Sequence, residues 1–81
     1  MELIGKAFVL FRKEDISGVS GVGIVCWGFQ FADGKCVTRW CSGELRQTAV
    51  WDSIGDIEAI HGHNGSTIVL WPDGEGKVDL P

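Results

Sequence analysis

Residues 24–43 read IVCWGFQFADGKCVTRWCSG, two alternating apolar runs on either side of Asp33-Gly34. Asp-Gly between such runs is the signature of a two-residue hairpin turn of type I′. The stretch is therefore read as two antiparallel strands, with facing residues at positions that sum to 67: Phe31 opposite Cys36, Phe29 opposite Thr38, Trp27 opposite Trp40. Counted outward from the hydrogen-bonded pair Ala32 and Lys35, Trp27 and Trp40 meet at a non-hydrogen-bonded position, where side chains come closest. The other face then carries Cys26, Gly28 and Gln30 with Val37, Arg39 and Cys41, and Gly28 leaves a gap beside Arg39. Cys26 faces Cys41 at a hydrogen-bonded position, whose wider separation disfavours a bridge.

Upstream, the run Phe8, Val9, Leu10, Phe11 makes residues 4–12 a strand covered on both faces, which requires a barrel or a partner. A glycine-rich loop follows, from Lys13 to Gly23. Downstream, ELRQTAVW (44–51) is a further strand after a turn at Ser42-Gly43. The period then changes. Ile54, Ile57 and Ile60 recur every three residues, Asp52 or Ser53 caps, Asp56 sits in the first turn and Gly62 terminates, giving one short helix at about 53–61. HNGSTIVLW (63–71) turns through Asn64-Gly65 and ends in a strand from Ser66 to Trp71, which Pro72 stops. The polar residues 72–81 are a loose tail or an arm laid on a neighbouring subunit.

These elements predict a mainly β (α+β) fold: a small, strongly bent antiparallel sheet or incomplete barrel of about five strands, with one short helix plugging an open end. The 81 residues form a single domain over 1–71, with a thin core. Exposed edges, that thin core and four tryptophans favour a homo-oligomer. A net charge of −4 excludes a protein built to hold long nucleic acid, but not one that takes a small anion in a pocket. No run approaches the roughly 18–20 apolar residues of a membrane span, and MELIGKAFVLFRK lacks a signal-peptide pattern, so the expectation is a cytoplasmic protein. Three cysteines without C-x-x-C spacing read as free, mostly buried thiols rather than a disulfide framework or a metal site.

The segment SGVSGVG (17–23) is either a wide turn or a ligand loop in which Ser17, Gly18, Ser20 and Gly21 aim backbone N–H groups at an anion. It leads into a strand and contains no Walker pattern, so neither a P-loop nor a dinucleotide fingerprint is supported. Arg12 at the mouth of this loop and Arg39 in a strand could hold a phosphate bidentately, or be solvated surface groups. A tryptophan in a small β domain is core, interface or a stacking platform for a base, and Trp27 and Trp40 are the best placed for the last role. His61 and His63 near the helix end serve ligand hydrogen bonding or capping and packing, since a helix C-terminus favours an imidazolium. No nucleophile elbow, triad order or paired carboxylate emerges, so no enzyme and no cofactor is expected.

RKEDISGVSGVGIV (12–25), FADGKCVTRW (31–40) and WDSIGDIEAIHGHNGST (51–67) resemble a family of short proteins of bacteriophages and some bacteria and archaea, over roughly residues 8–71. Its paired motifs are a D-x-S-G-x-S-G loop and a D-S-I…I-H-G-H element, and the chain departs from them at CWGFQF (26–31). The resemblance implies an accessory factor that counters host defence. One form of it is a non-catalytic homo-oligomeric sponge that sequesters a cyclic or other small nucleotide signal, with glycine loop, arginine and aromatic as phosphate, charge and base contacts. The competing class is a protein-interaction or virion-associated module. A sponge should gather Gly21, Arg12 or Arg39 and a tryptophan at one concave site, and a module should show a flat apolar patch.

Overall fold

The computed structural model describes residues 4–14 and 22–81, without the side chain of His63. Ser17, Gly18, Ser20 and Gly21 lie outside the described residues. The fold is an open, five-stranded antiparallel sheet with one short helix. The strands are β1 (Gly5–Arg12), β2 (Gly23–Phe31), β3 (Cys36–Trp40), β4 (Gln47–Trp51) and β5 (Thr67–Leu70), in the spatial order β4-β3-β2-β1-β5. Helix α1 (Ile54–His61) links the two edge strands and packs against both. It starts at the predicted cap, where Ser53 Oγ accepts from the Asp56 N–H at 3.1 Å. Asn64 and Gly65, at φ 56° and 93°, make the turn into β5.

The β2–β3 hairpin forms where expected, but in a register one residue away from the two-residue turn. Facing positions sum to 66: Gln30 opposite Cys36, Gly28 opposite Thr38, Trp27 opposite Arg39 and Cys26 opposite Trp40. The loop spends one more residue. Gly34 N–H donates to Phe31 O at 2.9 Å, Phe31 N–H donates to Lys35 O at 2.8 Å, and Asp33 Oδ1 accepts from Lys35 N–H at 3.1 Å. Only Gly34, at φ 97°, is left-handed there, whereas a type I′ turn would also hold Asp33 at positive φ. Because successive side chains point to opposite faces, this shift separates Trp27 from Trp40.

Within one chain the strand β1 is covered on one face: Phe8, Leu10 and Arg12 are buried, while Val9 and Phe11 on the other face are half-buried. A bulge opposite Leu10 and Phe11 inserts Val25 into β2, so the consecutive residues Val25 and Cys26 both enter the core. Cys36 and Ile57 complete that core, with Trp40, Trp51, Ile54 and Val69 packed around it. The gap at Gly28 is filled from the covered face, away from Arg39: the ring of Phe8 lies where a Cβ would stand. Trp71, just beyond β5, meets the other side of Phe8 at 5.3 Å between ring centroids. In the tail, Asp73 Oδ1 accepts from the N–H groups of Glu75 (2.8 Å) and Lys77 (3.0 Å). Those bonds, with Lys77 the larger, hold the carboxyl below its ordinary pKa.

All three cysteines are free. Burial pushes the Cys26 thiol up from 9.0 to about 11, aided by the neighbouring Cys41, and raises Cys36 as well. The folded thiols therefore stay neutral at a pH where those of the unfolded chain ionise. Stability present below pH 9 should decline as pH rises from 9 towards about 11, read as a falling urea midpoint. Gly28→Ala should cost about 1–3 kcal/mol in the same assay at neutral pH, because the new methyl displaces the buried ring of Phe8.

Candidate functional site

The observed register places Thr38 and Trp40 of β3 on the covered face beside Gln47, Ala49 and Trp51 of β4. Helix α1 has eight residues, about 12 Å, and leaves part of this face open on the β3–β4 side. The opening is a solvent-connected cleft of about 320 Å³ on the β3–β4 side, with His61 of the last helical turn on its opposite wall. That volume is at the small end of ligand pockets.

Its geometry is aromatic. The His61 ring lies 5.5 Å from Trp40 at an interplanar angle of 35°, and 5.5 Å from Trp51 nearly edge-on at 76°. Trp51 is oriented by its own polar atom, since Nε1 donates to Thr38 Oγ1 at 2.9 Å. The Arg12 guanidinium carbon stands 5.5 Å from the Trp40 ring centroid, within cation–π range. Arg12 is 3% exposed, and its Nε donates to Thr67 Oγ1 at 2.9 Å. A continuous series of contacts thus runs from β5 to β4: Thr67, Arg12, Trp40, His61, Trp51, Thr38. Arg12 does not line the cleft, so its charge reaches the cleft through Trp40. Two indoles and an imidazole offer π-surfaces to a flat ring, while Gln47 supplies an amide donor and acceptor at the rim.

Of the residues singled out from the sequence, Arg12, Trp40 and His61 come together here. Trp27 and Arg39 do not: they face each other on the opposite side of the sheet, Trp27 exposed and Arg39 donating from Nη1 to Thr48 Oγ1 at 2.9 Å. The glycine loop follows directly on the Arg12 end of β1, with its key residues outside the described set. Thr38, Gln47, Ala49, Val50 and Trp51 are the cleft residues that sequence reasoning did not place at a site. The alternation of 36, 38 and 40 with 47, 49 and 51 contains all of them but Val50 once the register is known.

Thr38→Val keeps the side-chain volume but removes the acceptor of the Trp51 indole. It should lower stability by about 1–2 kcal/mol and shift the tryptophan emission. Thr48→Val, which removes the exposed contact to Arg39, should stay within about 0.5 kcal/mol of wild type.

Among the described residues, no helix is long and apolar enough to cross a membrane. No curated protein and no solved structure matches the chain. The family model described as Acb5 phage protein matches residues 5–73, a span that takes in all five strands, the helix and every residue of the cleft. The chain belongs to the Acb5 phage protein family.

Proposed function

We propose that the cleft between Trp40, Trp51 and His61 binds a small anionic ligand with a planar ring, of the nucleotide class. As a phage accessory protein in the host cytoplasm, the chain would withdraw that ligand, a cyclic or linear nucleotide signal of host defence, without transforming it. The single observation that carries this reading is the juxtaposition of two indoles and an imidazole in one open concavity, backed by a buried guanidinium. Stacking binds any base by its π-face, and the Arg12 guanidinium at Trp40 puts a positive charge near the cleft, which favours an anionic ligand. The glycine loop, which follows Arg12 in the chain from Lys13 to Gly23, would supply the phosphate contacts.

One observation favours the second reading, an interaction or virion-associated module: the other face of the sheet is apolar, with Trp27 and Phe31 exposed. The two features lie on opposite sides of one sheet and do not exclude each other.

Isothermal titration against mono-, di- and cyclic dinucleotides tests the ligand reading. Binding should occur, Trp51→Leu should weaken it by about 5- to 150-fold, the equivalent of about 1–3 kcal/mol for a base stacked on an aromatic ring, and the ligand should be recovered intact. A folded wild type that gives no heat with any nucleotide, or binding that Trp51→Leu leaves unchanged, contradicts it.

A further inference from the structure

The open face of the sheet is built in cross-strand rows. Its central row, read across β5-β1-β2-β3-β4, is Leu70, Val9, Trp27, Arg39 and Thr48. The row towards the hairpin turn is Ala7, Phe29, Val37 and Val50, and Phe31 extends it with its ring edge-on to Phe29 at 5.3 Å. On the other side, Phe11 and Ile24 continue the apolar surface. Trp27 is 53% exposed, Val50 65% and Phe31 40%. We propose that this face is a homodimer interface, covered by the same face of a second copy of the chain about a two-fold axis.

Area comes first. Strands about 4.8 Å apart that rise about 3.3 Å per residue give the face roughly 500 Å² of flat area. Two such faces in contact remove upward of about 1,000 Å² before side-chain relief is counted, the level at which stable interfaces begin. Monomeric proteins rarely leave an apolar patch of this size uncovered.

Charge decides the occupant. The rows contain no carboxylate, and their one cation, Arg39, is bonded to Thr48 at the β4 rim. A nucleic acid or acidic protein would find a single positive charge, and a basic partner no negative one. The chain carries a net charge of −4, yet its described carboxylates lie in turns and loops, on α1 and in the tail. Two copies therefore meet through this face without opposing like charges. An uncharged centre of Trp27, Phe29 and Val9 with a polar rim is also the anatomy of a protein interface, and self-complementarity is what a two-fold contact requires. Apposed sheets about 10 Å apart form a second core, on the side where β1 has no cover within one chain. The clefts would then face outward from opposite sides of the dimer. The inference does not depend on what the clefts bind.

Sedimentation equilibrium of the full chain at about 50 μM should give twice 8.8 kDa. Trp27→Glu buries a charge twice per dimer, once on each copy. It should raise the dissociation constant at least about 100-fold while the circular dichroism spectrum stays native. Leu45→Glu, at an 85% exposed loop position off this face, should remain dimeric. Should Trp27→Glu fail to fold, Val50→Glu at the more exposed end of the same face replaces it and is expected to be monomeric. A wild type of single-chain mass, or a folded face variant that stays dimeric, overturns the proposal.

Discussion

The left-handed residue Gly34 decides on which side of the sheet every side chain of the β2–β3 hairpin stands. With Gly34 closing a three-residue loop, Phe31 pairs with Lys35, and all pairs outward from it follow. The even-numbered residues Cys26, Gly28, Cys36, Thr38 and Trp40 turn to the helix, and Trp27, Phe29, Val37 and Arg39 turn away. The rest of the covered face depends on this sorting. Gly28 can receive the ring of Phe8 only because the two share that face, and Trp40 can contact both Arg12 and His61 only because it stands on the core side.

The two faces of the sheet therefore differ in kind. The covered face holds a small core together with a series of polar and π contacts that links one edge strand to the other through Arg12 and Trp40. A buried guanidinium is costly to desolvate, and here a hydroxyl and an indole face are its described partners. The open face is apolar and nearly uncharged. In so small a domain, the helix that shields one face is too short to shield all of it, which leaves the cleft, and nothing in the described chain shields the other.

Much of the fold was legible in the sequence. Five strands, one capped helix and their order along the chain follow from local patterns, of which Ser53 with the isoleucines at 54, 57 and 60 and the Asn64-Gly65 turn are the clearest. The register was not legible, because Asp-Gly serves both a two-residue turn and a longer loop with one left-handed glycine. The choice involves contacts from outside the hairpin: Ala32 N–H donates to Ile4 O at 2.6 Å, tying the loop to the start of β1. The run Phe8 to Phe11 could not reveal how many of its faces are covered, since a face awaiting a partner has the same composition as a buried one. Arg12, Trp40 and His61 were visible as candidates by residue type. Trp51 was not singled out as a ligand contact, because its place beside them depends on the register across two strand pairs.

Nuclear Overhauser contacts between Hα protons across β2 and β3 test the register most directly, because such protons approach closely only at non-hydrogen-bonded pairs. The account predicts Hα–Hα contacts from Gly28 to Thr38 and from Cys26 to Trp40. Contacts from Phe29 to Thr38 and from Trp27 to Trp40 would contradict it, returning the two tryptophans to one face and dissolving both the cleft and the open face as described.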